Sequence, residues 1–118
     1  MVLVLVDDLM FRSKIKSAAA QLGAAVTFAG SRDAALAAMK AGAPALVILD
    51  LNNPRTDPLG TIAAMKHDET LSRVRTVGFV SHVDANTIGA ARAAGIDEIL
   101  ARSAFAAALP DLLARSQR

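Results

Sequence analysis

The stretch Ala45–Pro54, A-L-V-I-L-D-L-N-N-P, decides how this chain is read. Apolar residues run from Ala45 to Leu49 without a polar break and meet one carboxylate, Asp50. Asn52, Asn53 and Pro54 follow almost at once. Such an unbroken run predicts a strand buried on both faces, as in a parallel sheet. Pro54 cannot extend it, having no N–H to donate. Asp50 is therefore expected at the carboxyl end of a central strand, where open α/β sheets place their ligand sites. The plainer alternative is a strand-end Asp that caps a turn.

Outward from that stretch, strand-like and helix-like segments alternate. Val2–Val6 reads as a strand ended by Asp7 and Asp8. Leu9–Leu22 carries Ile15, Ala18, Ala19 and Leu22 at helical spacing, with Gly23 as its stop. Ala25–Phe28 is a short second strand. Ser31 suits an N-cap for an alanine-rich helix ending at Gly42. After the opening stretch, Leu51–Pro58 reads as a loop and Leu59–His67 as a helix. Val74–Val80 is a fourth strand interrupted by Gly78. Asp84–Ala94 is a helix closed by Gly95, Glu98–Ala101 a fifth strand, and Ser103–Arg115 a last helix that Pro110 could kink or break.

Five strands alternating with five helices predict an α/β flavodoxin-like, doubly wound five-stranded parallel sheet with helices on both faces. Right-handed crossovers leave few topologies, and the order 2-1-3-4-5 is the best candidate. Its switch point brings the ends of strands 1 and 3 together, and with them Asp7, Asp8 and Asp50. Three neighbouring carboxylates repel one another. A hard divalent cation such as Mg²⁺ would neutralise them through oxygen ligands. Capping of the first helix needs only one carboxylate. Ser81, ending strand 4, offers a hydroxyl, and Arg102, ending strand 5, a fixed positive charge. Acids, a metal, a hydroxyl and a cation together suit a phosphoryl group. Asp50 is then the natural acceptor nucleophile.

Composition narrows the alternatives. The 118 residues suit a single domain, 1–118, and 53% of them are apolar, which excludes a disordered chain. No apolar run approaches the roughly 20 residues that span a bilayer. The first strand-like run is too short for a secretory signal, and there is no cysteine. A cytoplasmic location is expected. Nine Arg and four Lys against eleven acids leave a net charge of +2. The charges are scattered, without a basic stripe or interleaved aromatics, which speaks against direct nucleic-acid binding. No G-x-G-x-x-G fingerprint is present. Asp-Asp-Leu-Met-Phe after the first strand lacks the Gly- and hydroxyl-rich phosphate loop a flavodoxin needs. Asn52 stands where an aspartate phosphatase carries its second Asp.

The order of these features resembles the receiver domains of bacterial two-component response regulators, and the resemblance covers essentially the whole chain. It rests on Asp7–Asp8, on I-L-D-L-N-N-P with Asp50, on F-V-S with Ser81, and on G-I-D-E-I-L-A-R ending at Arg102. It implies a stand-alone phosphoacceptor rather than a turnover enzyme. A histidine kinase or histidine phosphotransfer protein would phosphorylate Asp50. Mg²⁺ would be held by Asp8, Asp50 and the main-chain carbonyl of Asn52, with Asp7 acting through water. Ser81 would bond the phosphoryl group, and a downstream protein would read the face of helix 4, strand 5 and helix 5. A homodimer is left open.

The departures are specific. The family's Lys-Pro after strand 5 is here Arg102–Ser103, and all four lysines fall on predicted helices. The strand-5 aromatic that swings with the hydroxyl residue is here Ile99, and no Tyr or Trp exists in the chain. Pro58 stands where the family usually has Gly. These departures support a second reading, a degenerate receiver that binds a partner constitutively. His82 and His67 are assigned no chemistry, Phe105 is read as core, and Arg73 and Arg75 as solvated flanking charges.

Overall fold

The computed structural model describes residues 1–81 and 84–117. In chain order the elements are β1 (Val2–Leu5), α1 (Leu9–Leu22), β2 (Val26–Ala29), α2 (Arg32–Ala41) and β3 (Leu46–Asp50). A short 3₁₀ turn, Pro54–Thr56, precedes α3 (Pro58–Lys66). Then come β4 (Arg75–Val80), α4 (Ala85–Ala94), β5 (Glu98–Ala101) and α5 (Arg102–Arg115). The five strands form one parallel sheet in the order β2-β1-β3-β4-β5. This is the predicted doubly wound topology.

The continuous apolar runs are explained by two cores, one on each face. In β1 and β3 alternate residues divide between them, because side chains along a strand point to opposite faces. Val2, Val4, Leu46 and Ile48 pack beneath α1 and α5, with Phe11, Phe79 and Phe105 at the centre. Leu3, Leu5, Val47 and Leu49 pack beneath α2, α3 and α4, with Met39, Ile62 and Met65. Phe11 meets Phe79 edge-on at 4.7 Å between ring centroids, and Phe79 stacks on Phe105 at 4.8 Å. Phe105 is fully buried, as read from sequence.

Local chemistry sets most boundaries. Asp8, Ser31 and Asp84 cap α1, α2 and α4 through their side-chain oxygens. Gly23 and Gly95 close α1 and α4 in the left-handed conformation. Gly78 has a different reason. A Cβ there would stand 2.7 Å from Leu51 Cδ1 and from Ile96 Cδ1. The bare backbone of β4 is the seat on which Leu51 lies.

Beyond shifts of one residue at element ends, the structure departs from the sequence reading in several places. The segment after β3 contains the 3₁₀ turn, because Asn53 accepts a hydrogen bond from Arg55 N and Pro54 presets the first turn. Pro58 opens α3 at the position where proline loses no bond, and Asp57 before it takes the left-handed φ of 51°. α5 starts at Arg102 and runs through Pro110 without a break, held down by Phe105, Leu109, Leu112 and Leu113. Arg75 is not merely solvated: it pairs with Glu98 across β4 and β5 at 2.9 Å.

Candidate functional site

The carboxyl ends of β1, β3, β4 and β5 meet at one crevice, and five elements deliver polar groups to it. β1 ends in Val6–Asp7–Asp8, so the chain leaves the core on two acids before α1 begins. Asp8 Oδ1 accepts from Phe11 N at 3.0 Å and closes the first turn of α1. Its other oxygen, Oδ2, accepts from Arg102 Nη2 at 3.4 Å. The Phe11 N–H, and after it the Arg102 guanidinium, hold the Asp8 carboxyl below the usual carboxylate range.

Asp7 faces the other way. Its Oδ1 accepts a hydrogen bond from Asn53 Nδ2, and its Oδ2 pairs with Arg55 Nη2 at 2.8 Å. Asn53 is itself the cap of the 3₁₀ turn, accepting from Arg55 N at 3.0 Å. Asp7, Asn53 and Arg55 therefore close a three-membered ring of contacts. It ties the end of β1 to the loop after β3.

Asp50 is partly buried at the last position of β3. Oδ1 accepts from Asn52 N at 3.0 Å. Among the described residues, Oδ2 accepts no hydrogen bond. Burial pushes the Asp50 carboxyl above its ordinary value, and the charges of Asp7 and Asp8 push the same way. The Asn52 N–H and Arg102 oppose this and do not overcome it. Asn52 Oδ1 in turn accepts from Ser81 N, which ties the loop after β3 to the end of β4.

Arg102 reaches the crevice. Its guanidinium lies 4.5 Å over the Phe11 ring and donates to Ser81 Oγ at 3.3 Å as well as to Asp8. As the first residue of α5 it gains nothing from the helix dipole, which disfavours a cation there. Its placement rests on the ring beneath it and the carboxylate ahead of it. The end of β5 thus delivers a fixed positive charge to the crevice.

All six residues predicted from sequence, Asp7, Asp8, Asp50, Asn52, Ser81 and Arg102, stand at this end of the sheet. Two groupings emerge: Asp8, Arg102 and Ser81 on one side, Asp50, Asn52 and Ser81 on the other. Asp7 stands apart from both, turned toward Asn53 and Arg55. His82 lies outside the described residues. Sequence reasoning missed Asn53 and Arg55. The Asn53–Pro54 pair signals a turn, but nothing local signals that Arg55 would cross 48 positions to reach Asp7.

Among the described residues, no group of three or more His, Asp or Glu side chains converges to hold a metal ion by itself. The reason is visible in the pairings, since Arg55 and Arg102 occupy oxygens of the acidic pair. Two carboxylates and a main-chain carbonyl nevertheless fit an ion that keeps several waters. Asp50 Oδ2 is available, Asp8 Oδ2 is held only by a long contact to Arg102, and all the donors are hard oxygens.

Solved structures with the same architecture cover nearly the whole chain. A response regulator from Burkholderia multivorans is 25% identical, with a TM-score of 0.78 over 99% of this chain and 94% of that one. The phosphorylated cyanobacterial phytochrome response regulator RcpA is 22% identical, with a TM-score of 0.76 over 97% of this chain and 88% of that one. This chain has the fold of the response-regulator receiver domains. The Mn²⁺-bound form of response regulator Rcp1 gives a TM-score of 0.76 at 18% identity, over 97% of this chain and 88% of that one. No protein-family model matches the chain, and no curated protein sequence matches it. No helix among the described residues is long and apolar enough to cross a membrane.

Proposed function

We propose that this receiver accepts a phosphoryl group on Asp50 and passes a signal through protein contacts. The observation that carries the reading is the state of Asp50. It ends the central strand, is partly buried, and keeps one oxygen without a hydrogen bond among the described residues, with Ser81 and Arg102 linked beside it. The donor is a phosphohistidine on a partner kinase or phosphotransfer protein. An Asp50 carboxylate oxygen attacks phosphorus, a new O–P bond forms as the N–P bond breaks, and the leaving imidazole takes up a proton. Asp8, Asp50 and the Asn52 carbonyl would hold Mg²⁺, with Asp7 acting through water. The ion supplies positive charge against the phosphoryl oxygens. Arg102 and the Ser81 hydroxyl donate to those oxygens from the opposite side. RcpA and Rcp1, described as phosphorylated and Mn²⁺-bound, support the same chemistry here.

The acylphosphate gives the Ser81 hydroxyl and the Arg102 guanidinium a new acceptor. The two forms then differ in free energy at the face of α4, β5 and α5, which is what a switch requires. The role is that of a signalling acceptor rather than of a turnover enzyme. Incubation with acetyl phosphate and Mg²⁺ is expected to add one phosphoryl mass to the intact chain. Asp50→Ala, or omission of the metal, is expected to abolish the adduct. An unlabelled parent chain under saturating acetyl phosphate would remove this reading.

One observation favours a second reading. Arg55 and Arg102 pair with Asp7 and Asp8. A receiver stabilised this way could serve as a constitutive binding module with no phosphoryl chemistry. In that case Asp50→Asn leaves affinity for the partner unchanged.

A further inference from the structure

We propose that Arg55 is a tethered cation that stands in for the divalent ion at Asp7 and thereby sets the affinity of the crevice for metal. The inference rests on the reading of Asp8 and Asp50 as metal ligands. Both oxygens of Asp7 are engaged by the segment that follows β3: Oδ1 by Asn53 Nδ2, Oδ2 by Arg55 Nη2 at 2.8 Å. The guanidinium is aimed rather than adventitious. Asn53 binds Asp7 with its amide nitrogen and the Arg55 N–H with its amide oxygen, so one side chain fixes both partners of the ion pair. Pro54 shortens the intervening backbone into a single 3₁₀ turn. The backbone that carries Arg55 is therefore already ordered, and only its side chain must settle each time it closes on Asp7.

The charges at the crevice explain why such a group is useful. Three carboxylates, Asp7, Asp8 and Asp50, face two directly paired guanidiniums, Arg55 and Arg102, which leaves one negative charge. Without Arg55 the deficit doubles, and the carboxyl end of the sheet repels itself. With Arg55 the metal-free form is tolerable, but an incoming ion must turn Asp7 away from its guanidinium before Asp7 can orient a water. The same contact that stabilises the empty crevice competes with its ligand. The Arg55 side chain is 80% exposed, so the competition is modest and the arm is free to swing into water.

Calorimetric titration of Mg²⁺ into the full chain, in metal-free buffer, tests this directly. Arg55→Ala is expected to bind Mg²⁺ more tightly than the parent by roughly 1.5-fold to fivefold, the range of an exposed ion pair converted to affinity. Arg55→Lys keeps the charge and is expected to stay near the parent. Arg115→Ala removes the same formal charge from the far end of α5, where Arg115 pairs with Asp111, and is expected to leave the affinity unchanged. Circular dichroism checks that each variant is folded. Parent and Arg55→Ala binding Mg²⁺ equally, or Arg55→Ala binding more weakly, overturns the tethered cation and leaves the metal site standing. An Arg115→Ala gain equal to that of Arg55→Ala reduces the effect to net charge and also overturns it. No heat of binding from parent or Arg55→Ala at millimolar Mg²⁺ removes the metal site itself, and the inference with it.

Discussion

Two aspartates at opposite ends of the sheet have opposite surroundings. Asp97 lies just before β5, at the amino end. Its Oδ2 accepts from Thr76 N at 2.8 Å and from Thr76 Oγ1 at 3.1 Å, and its own N–H donates to Thr76 Oγ1 at 3.0 Å. Thr76 is fully buried, so this closed pair fastens β5 to the core. Asp50, at the carboxyl end, receives one backbone N–H and lies among other negative charges. A carboxylate saturated with donors is a fastener. A carboxylate kept short of donors, partly desolvated and crowded by like charge, is poised to react. The residue type is the same, and its neighbours decide its role.

Substitutions can break or sharpen that contrast. The largest stability effect is expected at the fastener. Asp97→Ala removes the acceptor of Thr76 N and Thr76 Oγ1, leaving only the main-chain N–H of residue 97 on that hydroxyl, and should cost about 1–3 kcal/mol in denaturant unfolding. Phosphoryl uptake per folded molecule should be unchanged. An equal loss of stability from Asp50→Ala would erase the distinction.

A smaller effect of opposite sign is expected at Asp50. Its folded-state value is raised, so the folded chain binds the proton more tightly than the unfolded chain. Stability from this group is full below the ordinary carboxylate range and is lost as pH rises through the raised value. Asp50→Asn should therefore melt at a higher temperature than the parent at neutral pH. The advantage should fade as the pH is lowered toward the ordinary carboxylate range. Asp8 has the opposite sign: its lowered value contributes stability above the ordinary range, lost as acid titrates through the lowered value. Melting curves across pH should separate the two, and a parent-like Asp50→Asn at neutral pH would count against the crowding of Asp50.

The smallest effect is expected from Arg102→Met. It removes an exposed ion pair and a cation over an aromatic ring, together worth roughly 1 kcal/mol or less. Its sharper readout is the Asp50 carboxyl, which Arg102 pulls down. Carbon-detected titration should find that carboxyl moved further up. An unmoved value would mean that the guanidinium does not govern Asp50.

Much of this was legible in the sequence because it is local. Strand ends announced themselves where apolar runs met Asp7, Asp50 and Ser81. A cap announced itself at Ser31 and another within the Asp7–Asp8 pair, and helix stops at Gly23 and Gly95; Asp84, read as helical, turned out to be a cap. The sheet order followed from alternation and handedness. What stayed hidden depends on pairing across the fold. Arg55 finds Asp7, Arg75 finds Glu98, and Arg102 lies on Phe11, each across a long stretch of chain. No window of sequence carries those distances. The start of α5 at Arg102 was missed for a related reason. Ala101 offers no side-chain cap, so the usual signal is missing.

The void left by Gly78 reaches further than β4. Leu51 drops into it, and Leu51 is the residue between Asp50 and Asn52. The depth at which the chain between Asp50 and Asn52 sits on the sheet is thus inherited from a methyl group that is not there. Evolution could detune this crevice without altering a single charged residue, by adding one carbon to the floor of the sheet.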